Sequence, residues 1–595
     1  MARMNGQSRW AAVCVAVALA AGLTVEAQRG GGGAAAGAAP ERDAAAEQAA
    51  ALAARYKNFT PVTDAMLEKP DPADWINWRR TYDAWGYSPL NQINKSNVDQ
   101  LQLAWARPLG PGSSMQPTPL VYQGVLYVPQ PNGLVQALDG LTGDELWRHQ
   151  TKFEHNPDDI FTSRMRTLAI YDDKIIVTTN HAHIIALEAK TGKVVWDVTT
   201  ADYKLGYRYT TGALVAKGTI VAGITGCERY KNDICFISAH DPKTGKELWR
   251  TSTVARPGEP GGDTWGDLPL NRRAGSDVWI TGSYDPRLNL LYWSTGQAKP
   301  WARVSRQTDG DTLYTNSTLA LDPGTGKMQW YYQFTPGESH DVDDAFENML
   351  IDVDGRQSLF KMGKMGILWE IDRKTGKFRA GHDLGYQTLV EFDPTTGKVQ
   401  YQDGMIPKLN QPLKFCPTAI GVRNWRSTAY HPETRAIYVP IHPSCSESSF
   451  GEVDPNNVGN FYFYRSPKWT GWRALGSFPH PASPNHRGHM VAMDIKSGKI
   501  LWRHSTASSQ GAAALTTAGG LVVSADTDGY VFIHDASNGK VLYQTRLMTA
   551  VQGFPVTYAI NGTQYLAIPT SNRAAMGGAA LYVFALPASA RGGRR

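Results

Sequence analysis

One phrase recurs along the chain and limits its possible folds more than any other feature. It consists of a short apolar strand, an acidic residue, a Thr-Gly or Ser-Gly turn, lysine, then two residues and an aromatic. Clear copies run from Ala137-Leu138-Asp139 to Trp147, Ala186-Leu187-Glu188 to Trp196, Ala239-His240-Asp241 to Trp249, and Ala320-Leu321-Asp322 to Trp330. Weaker copies follow at Glu370-Ile371-Asp372 with Thr375-Gly376, at Phe392-Asp393 to Tyr401, at Ala492-Met493-Asp494 to Trp502, and at His534-Asp535 to Tyr543. Self-similarity at a period of about 50 residues marks a repeat architecture.

Each phrase reads as a β-hairpin. The glycines (Gly143, Gly192, Gly245, Gly326) supply the positive φ of a tight turn, the acidic side chain caps it, and β-branched residues flank it. A single hairpin cannot bury both of its faces. Radial stacking of sheets into a propeller solves that and protects the strand edges, with the tryptophans packing between blades. Alternating partner strands such as Thr118–Tyr122, Gly124–Val128 and Leu521–Ser524 fill the intervals. The expected fold is all-β: an eight-bladed β-propeller with loop insertions near 255–315 and 405–490.

Residues 1–27 carry a basic start, an apolar run from Ala11 to Leu23, and Val25-Glu26-Ala27 as a small-residue cleavage site. They read as a signal peptide for a periplasmic or secreted protein, and no later segment is long and apolar enough to span a bilayer. A Gly/Ala-rich, flexible lead-in is expected over 28–60 and the propeller over 61–590. The net charge of +6 is modest for 595 residues and no basic stripe is interleaved with aromatics, which argues against nucleic acid as a partner. Beyond Cys14, four cysteines remain, and two disulfides are plausible in an oxidising compartment, Cys227–Cys235 and Cys416–Cys445 being the nearest neighbours. No Cys-x-x-Cys-His occurs, so electrons taken from a substrate would leave to a separate acceptor such as a soluble cytochrome c.

The opening Asp74-Trp75 through Tyr87-Ser88-Pro89-Leu90, Ile93-Asn94 and Asn97-Val98, the repeats, and several loop motifs together resemble the quinoprotein methanol/ethanol dehydrogenase family, in its single-domain form, from about residue 70 onward. The resemblance implies tryptophan-docking repeats, a pyrroloquinoline quinone cofactor, a calcium or lanthanide ion near the propeller axis, and oxidation of an alcohol, an aldehyde or a polyol. Residue by residue it implies metal ligation by Glu228 (in Gly226-Cys227-Glu228), Gln297 (in Thr295-Gly296-Gln297) and Asp341, with Asp343 as the second aspartate of lanthanide-using members. Asp341 is also the implied catalytic base. Lys364 resembles the residue that hydrogen-bonds the quinone oxygen, Arg166 the arginine on a cofactor carboxylate, and Trp279 the aromatic floor. Thr210, Thr225, Asn424 and Trp425 fall at further cofactor contacts, and Cys416 and Cys445 match a structural disulfide of the family.

The chain departs from that pattern at several points. Ile160 and Phe161 replace an adjacent cysteine pair above the cofactor, Gln116 replaces a glutamate, and Ser508-Ser509-Gln510-Gly511 stands where a tryptophan is expected before Leu515-Thr516-Thr517. Independently of family, hydride transfer from an alcohol to a quinone needs a base, an electrophile at the quinone oxygen and cations for acidic groups. Asp341, a hard cation on oxygen ligands, and Arg166 with Lys364 supply these. A rival class is a non-catalytic propeller scaffold of the outer-membrane assembly factor type, or a ligand-binding protein without turnover. Such a protein has no reason to keep Glu228, Asp341, Lys364 and Arg166 together.

Overall fold

The recurring hairpins form as the phrase predicts, and the turn chemistry explains why. In the computed structural model, which describes residues 50, 52–110, 116–152, 164–228, 230–232, 234–453, 471–571 and 578–591, Asp241 caps its turn by accepting from the Thr244 backbone at 2.8 Å and from its hydroxyl at 2.9 Å. Asp322 repeats the arrangement on Thr325. The chain then returns: Phe236–His240 pairs antiparallel with Glu247–Ser252, and Ser317–Leu321 with Met328–Gln333.

Four-stranded antiparallel sheets follow one another along the chain, most in simple chain order. One gains a fifth strand when Tyr87–Ser88 pairs parallel with Leu515–Thr517. Another is completed from both ends of the described chain, Gln102–Pro108 lying antiparallel to Ala580–Ala585. This all-β propeller carries the buried apolar residues within and between its sheets.

The tryptophans hold neighbouring sheets together. Trp249 Nε1 donates to Pro323 O at 2.9 Å, Trp147 Nε1 to Ala189 O at 3.0 Å, and Trp502 Nε1 to Ala536 O at 2.9 Å, each carbonyl lying in the turn of a following hairpin. The turn glycine lies flat on the ring: at Gly143 (φ +78°) an added methyl would sit 2.5 Å from Trp105. Glycine is required there twice, for the left-handed backbone and for the close approach.

Two copies of the phrase depart from the pattern. Val390–Phe392 and Val399–Tyr401, the copy ending at Tyr401, form a separate two-stranded sheet rather than part of a four-stranded one. The hairpin at Asp372 has no tryptophan, and the His382 ring meets Gly498 in its place. The sheet completed by Gln102–Pro108 carries no copy of the phrase, because its outer strand comes from the other end of the chain.

Both disulfides are present, Cys227–Cys235 and Cys416–Cys445. The lead-in expected through residue 60 carries packed residues at its end. Arg55 Nε bonds Asp139 at 2.9 Å, and Tyr56 is buried in the core with Phe59 against it. Aromatic residues there give the segment apolar surface to bury. The predicted signal peptide lies outside the described residues, as do Ile160 and Phe161. No helix among the described residues is long and apolar enough to cross a membrane.

Candidate functional site

Loops leaving the inner strands build one cavity of about 250 Å³, lined by Glu228, Asp277, Gln297, Asp341 and Asp343 on its acidic side. These five are at most 5% exposed. Carboxylates so buried need partners, and the cavity supplies cations between them. Lys364 Nζ lies 3.1 Å from Asp341 Oδ1 and 2.7 Å from Asp343 Oδ2, Arg208 lies 3.0 Å from Glu228, and Lys299 lies 3.9 Å from Asp277.

Local structure explains how each acid is aimed. Strand Leu290–Ser294 ends in the turn that carries Gln297, and Ala298–Lys299 then pairs with Ala274–Gly275, pinning the loop across the cavity. Gln297 donates through its backbone to Asp343 at 2.9 Å and through its side-chain amide to Asp341. A side chain on Gly296 would collide with the Asp343 carboxylate, so that approach needs glycine. Asp341 itself has φ +64°, an uncommon conformation for a non-glycine residue that turns its carboxylate toward Lys364. Asp341, Asp343 and Asp344 are thus a buried cluster rather than a solvated loop.

The electrostatics follow from burial and pairing. Burial pushes the Asp341 carboxyl well above its usual range, outweighing Lys364, and Asp343 pushes it the same way. Burial likewise acts to raise Glu228, but Arg208 and Lys299 hold it below the ordinary glutamate value. Lys364 is kept charged: burial disfavours the ammonium, yet Asp341 and Asp343 raise its pKa. His340 packs among Tyr401, Phe415 and Phe450, and burial lowers it to about 3, so it stays neutral.

The opposite wall is flat and cationic. Arg166 lies 5.3 Å over the Trp279 ring and donates to Gln116 Oε1 at 2.8 Å and to the carbonyls of Thr210 and Trp279 at 2.9 Å. Trp279 is braced edge-on by Phe346 at 5.0 Å. Thr225, Thr210 and Asn424 also line the cavity. The Thr210 hydroxyl has no hydrogen-bond partner among the described residues. Trp425, expected at the same edge, does not line the cavity. It packs 5.8 Å from Phe554, in an apolar cluster with Trp78 and Phe346, because that buried face takes its large ring while Asn424 folds back onto the Trp425 backbone at 2.8 Å.

Sequence reasoning passed over Asp277, Lys299 and Arg208. Asp277 stands two residues before Trp279, and Lys299 two after Gln297, so residue spacing around the recognised positions was the available signal. Asp277 Oδ1 accepts the backbone N–H groups of Gly226 at 2.8 Å and Cys227 at 3.0 Å, which ties it to the Glu228 loop and to the Cys227–Cys235 disulfide. A larger, open groove of about 720 Å³ runs past Phe236, Arg250 and Lys327, with Glu259 as the one carboxylate in its lining.

The donor set suits a hard cation, since every candidate ligand offers oxygen. The flat Trp279 face, the Arg166 guanidinium and the unpartnered Thr210 hydroxyl suit a planar, acidic cofactor. The residues present therefore fit a quinone carrying carboxylates together with a metal ion.

Comparison with known proteins agrees. The family model described as glucose/ethanol/alcohol dehydrogenase, beta-propeller domain, matches residues 75–378 and 391–566. The chain is 33% identical over 546 residues to quinohemoprotein alcohol dehydrogenase ADH IIB of Pseudomonas putida, covering 87% of this chain and 76% of that one. It is 30% identical over 518 residues to quinoprotein alcohol dehydrogenase PedH of Pseudomonas putida, covering 81% and 83%. A europium-containing methanol dehydrogenase superposes with a TM-score of 0.78 at 26% identity, over 88% of this chain and 100% of that one.

Proposed function

The chain belongs to the family of alcohol dehydrogenases dependent on pyrroloquinoline quinone, and from its quinoprotein alcohol dehydrogenase activity we propose how the acidic cavity performs the oxidation. The observation that carries the reading is the set of buried carboxylates, interleaved with ammonium and guanidinium groups, around one cavity floored by Trp279. Glu228, Gln297, Asp341 and Asp343 hold the metal ion, calcium or a lanthanide. Arg166, Thr210, Thr225 and Asn424 hold the acidic edge of the cofactor, and Trp279 its flat face.

Bound quinone supplies the two-electron acceptor for the hydride leaving the alcohol carbon. Asp341 takes the hydroxyl proton of the substrate. Its carboxylate is fixed by the Gln297 amide and by Lys364 in the place where a base is needed. Lys364 keeps a positive charge beside Asp341 and Asp343, where burial makes each charge count for more than in water. The neutral His340, next to Asp341 in the chain, packs against Tyr401, Phe415 and Phe450.

The sheets around the axis number eight blades, spanning residues 61–590 behind a signal peptide at 1–27 and a lead-in at 28–60, in a periplasmic protein. Electrons pass to a separate acceptor such as a soluble cytochrome c. All four cysteines of the described residues are paired in disulfides, leaving none there to attach haem. Reconstitution of the purified protein with pyrroloquinoline quinone plus calcium or lanthanum, assayed by dye reduction over an alcohol panel beside Asp341→Ala, tests this reading. Turnover that needs cofactor, ion and Asp341 supports it. Full turnover in Asp341→Ala removes Asp341 as the base, and absence of cofactor binding with either ion defeats the whole scheme.

A further inference from the structure

Asp277 and Lys299 enter the cavity from the two strands of one small sheet. Ala274 faces Lys299 and Gly275 faces Ala298 in its register, and Asp277 follows two residues after Gly275. The Asp277 carbonyl accepts the Gly296 N–H at 2.8 Å, so the segment bearing Asp277 is tied to the loop bearing Gln297 and Lys299. One carboxylate oxygen of Asp277 is committed to the Gly226 and Cys227 amides. The other, Oδ2, is fully buried, accepts no hydrogen bond among the described residues, and lies 3.9 Å from the Nζ of Lys299, which lines the cavity with Asp277.

We propose that Asp277 and Lys299 together set the charge of the ion the cavity takes: Asp277 Oδ2 is an additional oxygen donor, and the Lys299 ammonium is a tethered positive charge that favours a divalent over a trivalent ion. The inference rests on the ion-dependent reading above and adds the ion class to it.

The acids Glu228, Asp277, Asp341 and Asp343 share one cavity with Lys299, Lys364 and Arg208. An entering ion therefore meets carboxylates already partly neutralised by the protein. Lys299 is central among these cations, since Glu228, Asp277 and Asp341 each feel its charge. Repulsion between a fixed ammonium and an ion scales with the charge of the ion, so Lys299 penalises a trivalent ion half as much again as a divalent one at the same place. By the same scaling Asp343 attracts a trivalent ion half as much again as a divalent one, but Lys364 binds it at 2.7 Å and offsets that charge, so the Lys299 ammonium remains to oppose the trivalent ion.

The test is direct ion binding without turnover. Calcium chloride and lanthanum chloride are titrated by calorimetry into the ion-stripped full chain, with circular dichroism confirming the fold of every variant. Lys299→Met is expected to tighten lanthanum by about tenfold and calcium by less, so that the lanthanum-to-calcium affinity ratio rises. Lys299→Arg keeps the charge and is expected to keep the wild-type ratio. Asp277→Asn, which retains the oxygen facing Gly226 and Cys227, is expected to weaken both ions by about tenfold. An unchanged ratio in Lys299→Met, a ratio in Lys299→Arg shifted as far as in Lys299→Met, or unchanged affinities in Asp277→Asn overturns the inference alone. Failure of the wild-type chain to bind either ion overturns the ion-dependent reading as well.

Discussion

Lys364 stands between two aspartates, its Nζ 3.1 Å from Asp341 Oδ1 and 2.7 Å from Asp343 Oδ2, and it also donates to the Asp341 carbonyl at 2.9 Å. One ammonium therefore fixes the orientation of the base and the position of its neighbour. Lys364→Met leaves both carboxylates without that charge. Dye-reduction kcat is expected to fall by about 10²–10³-fold, the cost typical of removing a preorganised electrostatic group. A fall of less than about tenfold at saturating cofactor and ion would show that Lys364 is structural.

Sheet-to-sheet docking gives a prediction for stability. Trp249 buries its ring beneath Gly326 and donates to Pro323 O at 2.9 Å. Trp249→Ala opens a cavity between neighbouring sheets and leaves that carbonyl without its donor. A loss of about 3–5 kcal/mol is expected in urea unfolding. Trp330, whose Nε1 has no partner among the described residues, serves as a comparison in which the packing is lost without a hydrogen bond.

A second stability prediction concerns a buried ion pair. Arg423 and Glu347 make a bidentate pair, both bonds 2.8 Å, with side chains 0% and 1% exposed. Glu347 also accepts the Thr428 hydroxyl at 2.7 Å. Glu347→Gln leaves a buried guanidinium without a countercharge, and about 3–5 kcal/mol of stability is expected to go with it. Replacing both partners by apolar residues of similar volume is expected to cost less than the single change.

How much of this was legible in the sequence depends on the range of the interactions involved. The Asp-Thr-Gly turns are local, so the hairpins at Asp241 and Asp322 could be read from a few adjacent residues. Glu228, Gln297, Asp341 and Lys364 were found because each sits in a recognisable loop. Asp277 was not found: only its spacing two residues before Trp279 pointed to it, while its partners Gly226, Cys227 and Lys299 are brought to it by contacts distant in sequence. Trp425 was assigned to the cavity by its neighbour Asn424, yet adjacent residues on a loop point in different directions, and the larger ring went to the apolar cluster.

A fourth prediction uses pH. His534 is fully buried, bonds Ser524 at 2.9 Å, and is lowered to about 3 by burial first and by His504 next. Unfolded, it takes a proton near its ordinary value of 6.5. Between those two pH values the unfolded state holds more protons than the folded one, so acidification removes stability, by about 1.4 kcal/mol per unit once below 6.5. The stability of wild type relative to His534→Gln is expected to fall by about 2 kcal/mol between pH 7 and pH 5, measured from urea midpoints. An unchanged difference across that range would show that His534 titrates in the fold as it does in the unfolded chain.

The sheet in which Gln102–Pro108 lies beside Ala580–Ala585 sets the order in which the molecule can be finished. During synthesis the first of these strands emerges early and must wait, its pairing edge open, until nearly the whole chain has left the ribosome. Interior hairpins can form at once from neighbouring residues, whereas this last pairing joins opposite ends and comes late. A nascent or C-terminally truncated chain therefore exposes a strand edge competent to pair with another copy, and helpers that shield such edges would act longest on Gln102–Pro108.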